Sequence, residues 1–380
     1  MDLPLGQSAF LWGPRKSGKS TYLHLHFKQS IFYDLLLSDL SLRLAKTPSL
    51  LREEVLSLSP EQLLHPIIID EVQKIPALLD EIHWLIENTS AYFILCGSSA
   101  RKLKRGAANL LGGRAWRFTF YPLVYPEISN FNLLQALNTG LIPTHYNATH
   151  AHRSLNAYVH DYIREEIQAE SLVRNIPAFA RFLDAIPFCH GELLNYSSIA
   201  RDCAIDSKTV KAYFQILVDT LLGYYLEPFT GRSHRQLISA TPKFYLFDVG
   251  LANTLAKREI KELRGDEAGR AFEHFIFTEL IAYRGLKERN FYLHFWRTQN
   301  GFEVDFVINK GDIAIEVKIS SQVRKSDLKG LFAFAKEYTP KKNMVVSLDP
   351  QRRTLIEDDI VIDIIPWKIF LKDLWAGSLF

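Results

Sequence analysis

The sequence contains little cysteine and no long apolar run, and both absences narrow the class of protein. Its three cysteines, Cys96, Cys189 and Cys203, are too widely spaced for a zinc site or a redox pair. An odd number of isolated thiols suits a reducing compartment, so we expect a cytoplasmic location. No uncharged apolar run approaches the roughly 18 residues of a membrane span. The first residues also lack the basic and apolar regions of a signal peptide, so we expect no membrane partner.

A strong excess of either charge is also missing. The 45 basic and 42 acidic residues give a formal net charge of +3, so any surface that attracts nucleic acid must be local. With 47% apolar and 23% charged residues, the composition is that of an ordinary globular protein. The 380 residues suffice for two or three domains of about 150 residues each.

A glycine loop between an apolar strand and a helix is the most specific motif present. Residues 13–20 fit the phosphate-loop pattern G-x-x-x-x-G-K-[ST] at every fixed position. In this context the backbone N–H groups turn towards a bound phosphate, the lysine contacts the β- and γ-phosphates, and the serine hydroxyl ligates Mg²⁺. A loop that matches by chance is the alternative. The predicted ATP-binding residues here are Gly13, Pro14, Arg15, Lys16, Ser17, Gly18, Lys19, Ser20 and Thr21.

Two later apolar segments end in polar residues that suit the same site. Residues 67–69 read as a buried strand that ends in Asp70 and Glu71. In phosphate-loop enzymes Mg²⁺ is held at this position, through Asp70, and Glu71 would polarise the attacking water. An acidic loop that caps a core strand is the alternative. The segment 92–96 is typical of a strand between the two motif strands, and either Ser98 or Ser99 would reach the γ-phosphate.

Arg114 follows two glycines and is a candidate for the arginine that neutralises charge in the transition state. It would act in its own subunit or in a neighbour's, and the second case implies a homo-oligomer. Solvated basic residues on a helix are the alternative for Arg114 and for the basic cluster at 101–105.

These motifs resemble those of a family of bacterial and archaeal AAA-type ATPases that carries an additional C-terminal domain of unknown function. The quoted residues are 13–20, 67–71, 97–99, 112–114 and 120–123. The resemblance implies an ATPase domain over residues 1–130, with Asp70 and Glu71 as its second motif. At Gly112 the chain departs from the family, in which a small residue such as alanine is expected before the glycine.

The middle of the chain, residues 131–240, is predicted to be a helical linker followed by a winged-helix-like segment. The mixed composition of 131–150 indicates the linker. Residues 196–203 suggest a short helix with a serine cap, 204–206 a turn, and 207 onward a second helix, which together form a helix-turn-helix. Lys208, Thr209 and Lys211 would meet the bases of DNA or RNA. Packing between domains is the alternative role.

Residues 302–318 predict a hairpin with one charged face. If Lys310 and Gly311 form a two-residue loop, Asp305 lies opposite Glu316. Because side chains alternate along a strand, Glu303 and Lys318 share the face of these two acids. Opposed carboxylates repel, and a divalent cation with a nearby lysine would offset that repulsion. A solvated sheet face is the alternative.

An acid, a hairpin and Glu-x-Lys form the active-site arrangement of restriction-endonuclease-like nucleases. Asp305 and Glu316 would hold Mg²⁺, Lys318 would stabilise charge or position water, and Glu273 on the preceding helix would complete the site. Residues 241–380 resemble the C-terminal part of the same family at 272–273, 303–306 and 315–318. A site that binds nucleic acid without activity is a third alternative.

The predicted fold class is α/β: a P-loop ATPase domain with a parallel sheet, a helical and winged-helix-like middle segment, and a mixed α/β nuclease-like C-terminal domain. The predicted function is an ATP-binding, Mg²⁺-dependent ATPase coupled to a nuclease-like domain directed at nucleic acid. The alternative is a nucleotide-dependent switch or scaffold whose C-terminal domain binds a partner or nucleic acid without cleaving it.

Overall fold

The computed structural model describes residues 2–98, 111–159, 175–231 and 241–380. These residues divide into two compact units. The first unit comprises Met1–Pro122 with Asp219–Leu222, and the second comprises Leu123–Val218 with Gly223–Phe380.

The first unit is built on a five-stranded sheet whose paired strands all run parallel, in the order β2-β3-β4-β1-β5. Its strands are β1 (Ser8–Trp12), β2 (Phe32–Asp34), β3 (Ile67–Asp70), β4 (Phe93–Gly97) and β5 (Ala115–Thr119). Its α-helices are α1 (Lys19–His26), α2 (Ser38–Lys46), α3 (Ser49–Leu56) and α4 (Leu78–Asn88), and short 3-10 helices span Gln62–Leu64, Val72–Lys74 and Leu111–Gly113.

The strand order decides where the motifs meet. Strand β4 lies between β1 and β3, as the sequence predicts. The residues of these three strands are buried, which is expected for a parallel sheet with both faces covered. Because parallel strands end at the same edge, the loops after β1, β3 and β4 come together at the carboxyl edge of the sheet.

The second unit contains an eight-stranded mixed sheet in the order β12-β13-β11-β10-β9-β8-β6-β7. Its strands are β6 (Gly223–Pro228), β7 (Lys243–Leu246), β8 (Leu293–Arg297), β9 (Glu303–Ile308), β10 (Ile313–Lys318), β11 (Lys342–Ser347), β12 (Arg353–Glu357) and β13 (Ile360–Pro366). Its described α-helices are α5 (Leu133–Thr139), α6 (Pro143–Tyr146), α7 (Ala151–Ala157), α8 (Ile176–Cys189), α9 (Tyr196–Cys203), α10 (Ser207–Asp219), α11 (Val249–Leu255), α12 (Gly265–Leu286), α13 (Lys329–Tyr338) and α14 (Trp367–Ala376). The 3-10 helices of this unit span Tyr125–Glu127, Asn309–Gly311 and Lys325–Leu328.

The segment 131–150, for which the sequence predicts a linker, is folded. It forms α5 and α6, and both Leu137 of α5 and Ile142, which precedes α6, are fully buried. The buried carboxylate of Asp248 accepts hydrogen bonds from the N–H groups of Leu141, at 2.6 Å, and of Leu251, at 3.0 Å. These apolar and polar contacts fix the segment to α11, so its mixed composition does not mark a loose connection.

The two helices predicted as a helix-turn-helix are present as α9 and α10, with Ala204 in the left-handed region at φ 52°. The predicted serine cap is wrong. Asn195 caps α9 by accepting from the N–H of Ser198, and Asp206 accepts from the N–H groups of Lys208 and Thr209 at the start of α10. Amide and carboxylate oxygens just before the first turn satisfy N–H groups that lack a partner within the helix.

The hairpin of β9 and β10 has the predicted register and a longer turn. Ile313 pairs with Ile308 and Ile315 with Phe306, so the next pair in this register is Asp305 with Glu316. The predicted two-residue loop is wrong, because β9 ends at Ile308 and β10 begins at Ile313, which leaves Asn309 and Asp312 in the turn. Left-handed φ values at Asn309, Lys310 and Gly311 produce this wider reversal without changing the register.

The three cysteines are all buried and form no disulfide. Among the residues that the structure describes, no helix combines the length and the apolar character needed to cross a bilayer.

Candidate functional site

The phosphate loop, residues 13–20, leaves β1 and enters α1. Gly18 precedes the helix with φ 100°, a conformation that a side chain would strain. The first helical residue, Lys19, is buried, and its Nζ donates to the carbonyl oxygens of Gly13 at 2.8 Å and Pro14 at 2.9 Å. The loop therefore folds around the lysine amine, where a nucleotide phosphate would take the place of these carbonyl partners.

Ser20 and Asp70 bring the two ATPase motifs into contact. The Ser20 Oγ donates to Asp70 Oδ2 at 2.6 Å, and the other carboxylate oxygen accepts from the Glu71 N–H at 3.0 Å. A hydroxyl and a carboxylate are hard oxygen ligands of the kind that Mg²⁺ prefers. The Ser20 hydroxyl oxygen and the Asp70 carboxylate could bind one cation together if the proton between them were displaced. Ser20 and Asp70 therefore fit the Mg²⁺ ion that the sequence predicts.

Glu71 follows β3 and has φ 59° and ψ 40°. Left-handed conformations are uncommon for residues other than glycine and recur at functional sites. Its Oε2 accepts from Nε2 of Gln73, and the same nitrogen donates to Ser98 Oγ at 3.1 Å. The structure thus connects the predicted base with one of the two predicted γ-phosphate contacts; the other, Ser99, lies outside the described residues.

Arg114 lies at the other end of the sheet from the phosphate loop. It precedes β5, in which Ala115 pairs with Ser8 and Thr119 pairs with Trp12. Five residues of strand, roughly 17 Å at about 3.3 Å per residue, therefore separate it from the carboxyl edge. Its guanidinium forms an ion pair with Glu87 of α4. This placement disfavours a role at the nucleotide of its own subunit. A role in a neighbouring subunit stays a prediction, beside the alternative of a solvated basic residue. The basic cluster at 101–105 lies outside the described residues.

A carboxylate cluster, defined here as Glu273, Glu303, Asp305 and Glu316, lies in the second unit. Asp305 and Glu316 are only 8% and 6% exposed. Asp305 Oδ2 accepts from the Val317 N–H at 2.7 Å, and Glu316 Oε1 accepts from Lys318 Nζ at 2.6 Å. Glu316 Oε2 is buried and has no hydrogen-bond partner in the described structure.

The electrostatics of the cluster follow from this burial. Burial raises the pKa of Asp305 well above its usual range, and the charges of Glu316 and Glu273 add to the effect. Burial also raises the pKa of Glu316, although the nearby Lys318 ammonium opposes the shift. Burial disfavours the charged Lys318, but Glu316 and Asp305 outweigh it and raise the pKa of the lysine. The two opposed acids therefore repel each other, as the sequence predicts.

Lys243 belongs to the same site, although no motif in the sequence marks it. This lysine begins β7 and is only 2% exposed. Its Nζ lies 2.5 Å from Glu303 Oε1 and 3.3 Å from Glu273 Oε1, and the Tyr245 hydroxyl donates to Glu273 Oε1 at 2.5 Å. Arg297 pairs with the second oxygen of Glu303 at 3.1 Å. The only signal in the sequence is the alternation of Lys243 and Tyr245 along one strand.

The cluster fits a divalent cation only in combination with other ligands. Within the described ranges, no group of three or more histidine, cysteine, aspartate or glutamate residues is arranged to hold a metal ion. Glu273 and Glu303 already contact Lys243, which leaves Asp305 and Glu316 as oxygen ligands. Mg²⁺ is commonly held by one or two carboxylates together with waters and phosphate oxygens, so such a pair suits an ion that a phosphate-bearing substrate helps to bind.

Three family models match successive parts of the chain. Residues 6–129 match an AAA domain, residues 130–262 a domain of unknown function (DUF8612), and residues 268–370 another domain of unknown function (DUF4143). The first match covers the phosphate loop, Asp70 and Glu71. The other two assign no activity to the second unit.

Two curated relatives resemble most of the chain. Uncharacterized protein Rv2008c of Mycobacterium tuberculosis and Uncharacterized protein Mb2031c of Mycobacterium bovis are each 27% identical to it over 313 residues. The similarity covers 78% of this chain and 66% of each relative, so the chain spans slightly less than two thirds of their length. The AAA match, with the phosphate-loop geometry, supports an AAA-type ATPase domain at residues 6–129.

Proposed function

We propose that this chain is an ATP-binding, Mg²⁺-dependent ATPase coupled to a nuclease-like domain that acts on nucleic acid. The observation that carries the ATPase part is the 2.6 Å contact between Ser20 Oγ and Asp70 Oδ2. These residues lie 50 positions apart, and each is the predicted Mg²⁺ ligand of its own motif. Their contact, beside the buried Lys19 amine, supports a phosphate-binding and metal-binding site at the carboxyl edge of the first sheet.

Each residue of this site has a chemical role in the proposal. The backbone of residues 13–20 would bind the phosphates and Lys19 would neutralise their charge. Ser20 and Asp70 would hold Mg²⁺, which would supply polarisation of the phosphate oxygens. Glu71 accepts a proton from the attacking water as the water oxygen bonds to the γ-phosphorus and the bond to the β-phosphate oxygen breaks. Ser98 contacts the γ-phosphate, and Arg114 acts on the nucleotide of a neighbouring subunit in a homo-oligomer.

The nuclease-like role is proposed for Asp305, Glu316, Lys318 and Glu273. It is supported by the buried pair of acids, the unpartnered Oε2 of Glu316, and the Lys318 amine 2.6 Å from the other oxygen of that carboxylate. Asp305 and Glu316 would hold a divalent cation, which would offset their repulsion and supply an activated water. The water oxygen would bond to the phosphorus of a phosphodiester as the bond to the leaving oxygen breaks, and Lys318 would stabilise the charge that develops on the phosphate. Glu273, held by Tyr245 and Lys243, would orient groups at the edge of the site.

Nucleic acid would be bound through α10 as well as through the carboxylate cluster. Lys208 and Lys211 are exposed on the first turns of this helix, and Lys211 Nζ lies 5.0 Å from the centre of the Tyr196 ring. The antiparallel strands β6 and β7 follow the helix, which is the order of elements in a winged helix. Cation and hydroxyl groups at the start of a recognition helix suit contacts with phosphates and bases.

A second candidate function is a nucleotide-dependent switch whose second unit binds nucleic acid or a protein without cleaving it. The contact between Lys318 and Glu316 favours it, since an internal ion pair already compensates one of the two acids. The absence, in the described part of the chain, of a complete three-residue metal group points the same way.

Cleavage of plasmid DNA separates the two functions. The full chain is incubated with supercoiled plasmid and Mg²⁺ or Mn²⁺, beside Glu316→Ala and beside Glu337→Ala, which changes an exposed glutamate of the same unit. We expect the wild type and Glu337→Ala to nick or linearise the plasmid and Glu316→Ala to lose this activity. Plasmid that is bound by the wild type but stays intact with both metals would instead establish the switch.

A further inference from the structure

Gln73 connects two groups of the proposed ATPase site although neither motif includes it. It lies in the short 3-10 helix Val72–Lys74 that follows Glu71, and it is only 5% exposed. Its Nε2 donates to Glu71 Oε2 and, at 3.1 Å, to Ser98 Oγ. One amide nitrogen carries two N–H groups, so a single glutamine can bond both acceptors at once.

The packing around this amide indicates that its position is specified. A Cβ atom at position 97 would lie 2.2 Å from Gln73 Oε1 and 2.8 Å from the Trp12 ring, so a side chain there would displace the amide or the ring from its place at the end of β4. Gln73 Oε1 is buried without a hydrogen-bond partner in the described structure. Burial of an unsatisfied polar atom costs stability, and a glutamine used only for packing could be replaced by an apolar side chain without that cost.

We propose that Gln73 is a positioning residue that couples the γ-phosphate contact at Ser98 to the orientation of Glu71. This inference rests on the proposed ATPase function. When Ser98 engages the γ-phosphate, the shared amide fixes the Glu71 carboxylate relative to that phosphate and hence relative to the attacking water. Gln73 takes no proton and touches no reacting atom, so its removal slows the chemical step while the phosphate loop still binds ATP.

The test measures kcat for ATP hydrolysis and the Kd for ATP in the full-length protein. Gln73→Met keeps the size of the side chain and removes both N–H groups. We expect kcat to fall about tenfold or more, a part of the roughly 10²–10⁴-fold contributed by a positioned base, with Kd unchanged within about threefold. Gln62→Met, which alters an exposed glutamine, should keep the wild-type kcat.

The coupling itself is read from a double-mutant cycle. If Gln73 acts by linking Ser98 to Glu71, Gln73→Met combined with Ser98→Ala should be no slower than the slower single variant. A double variant whose loss equals the product of the two single losses would contradict the link. A normal kcat in Gln73→Met would overturn the inference outright.

Two further comparisons keep the outcomes distinct. If Gln73→Met does not fold, as judged by its thermal transition, Gln73→Asn decides, because its shorter amide cannot reach both acceptors and should show the same loss of kcat. Hydrolysis by the wild type that is no faster than by Lys19→Ala would overturn the ATPase proposal together with this inference. Hydrolysis that depends on Lys19 and is unaffected in the folded Gln73 variants would overturn this inference alone.

Discussion

Asp305 and Glu316 are two carboxyl groups that the folded chain removes from water and sets on neighbouring strands. Desolvation and mutual repulsion both disfavour their charged forms. In the folded protein burial raises the pKa of Asp305 well above its usual range, and the charge of Glu316 adds to the effect. Between the unfolded and the folded pKa the folded state therefore binds more protons, and the free energy of unfolding falls as the pH rises.

This sign gives a prediction for the metal-free protein. Asp305→Asn removes the charge and can keep an oxygen acceptor for the Val317 N–H, so its stability should depend less on pH above about pH 4. In EDTA at pH 8 we expect the variant to unfold at a higher urea concentration than the wild type, because it lacks the carboxylate whose charge burial disfavours. Urea unfolding at several pH values measures both effects, with the exposed Asp202→Asn as the control.

The same variants test the metal. Mg²⁺ or Mn²⁺ should raise the unfolding temperature of the wild type more than that of Asp305→Asn or Glu316→Gln, because the ion binds the folded state and both acids would ligate it. Equal shifts in all three proteins, or a stability of Asp305→Asn in EDTA that depends on pH as strongly as that of the wild type, would contradict this account of the two acids.

Which residues could be predicted depends on whether a motif or a tertiary contact brings them to the site. Lys19, Asp70, Asp305 and Glu316 follow from a fixed spacing or from the alternation of a single hairpin. Lys243 reaches Glu273 of α12 and Glu303 of β9 only because the fold brings these two elements to β7, and no local pattern signals either contact. A buried lysine can be predicted from the sequence only when its carboxylate partners are known.

At the scale of elements, strands that combine an apolar face with polar ends were predictable and their boundaries were not. The hairpin register follows from the alternation of charged and apolar residues, since a shift by one residue would put apolar and charged side chains on the same face. The turn is different: three left-handed residues extend it, and Asn309 and Lys310 do not signal this in the way that glycines would. The caps Asn195 and Asp206 were missed because serines beside them are equally good capping residues.

The segment 131–150 illustrates a second limit. Its glycine and proline residues indicate a break between domains, yet they mark the ends of two short buried helices. Gly140 has φ 69° and lies beside the Asp248 carboxylate, a contact across more than 100 residues. The local composition indicates that the chain reverses here. It does not indicate which distant residues bury the segment.

At the scale of the whole molecule, the described chain forms two compact units where the sequence predicts three domains. The second unit includes both the predicted middle segment and the C-terminal part. Strand β6 explains this, because it pairs with β7 and with β8 and so joins the segment after α10 to the C-terminal sheet. A strand that pairs with distant partners cannot be assigned to a domain from its own residues.

The position of Arg114 leads to a prediction about assembly. If it acts on the nucleotide of a neighbouring subunit, ATPase activity per chain should rise with protein concentration. A mixture of Lys19→Ala and Arg114→Ala chains should regain part of the activity that each lacks, because one chain supplies the nucleotide site and the other the arginine. Steady-state hydrolysis over a dilution series measures both. A rate per chain that is independent of concentration, without complementation in the mixture, would remove Arg114 from this role.

ATP turnover by the full chain is the most direct test of the proposed ATPase function. Hydrolysis in Mg²⁺ and ATP binding are measured for the wild type, Lys19→Ala and Glu71→Gln. We expect Lys19→Ala to lose ATP binding. We expect Glu71→Gln to bind ATP and to hydrolyse it at least about a hundredfold more slowly than the wild type. ATP binding that survives in Lys19→Ala, or normal turnover in Glu71→Gln, would contradict it.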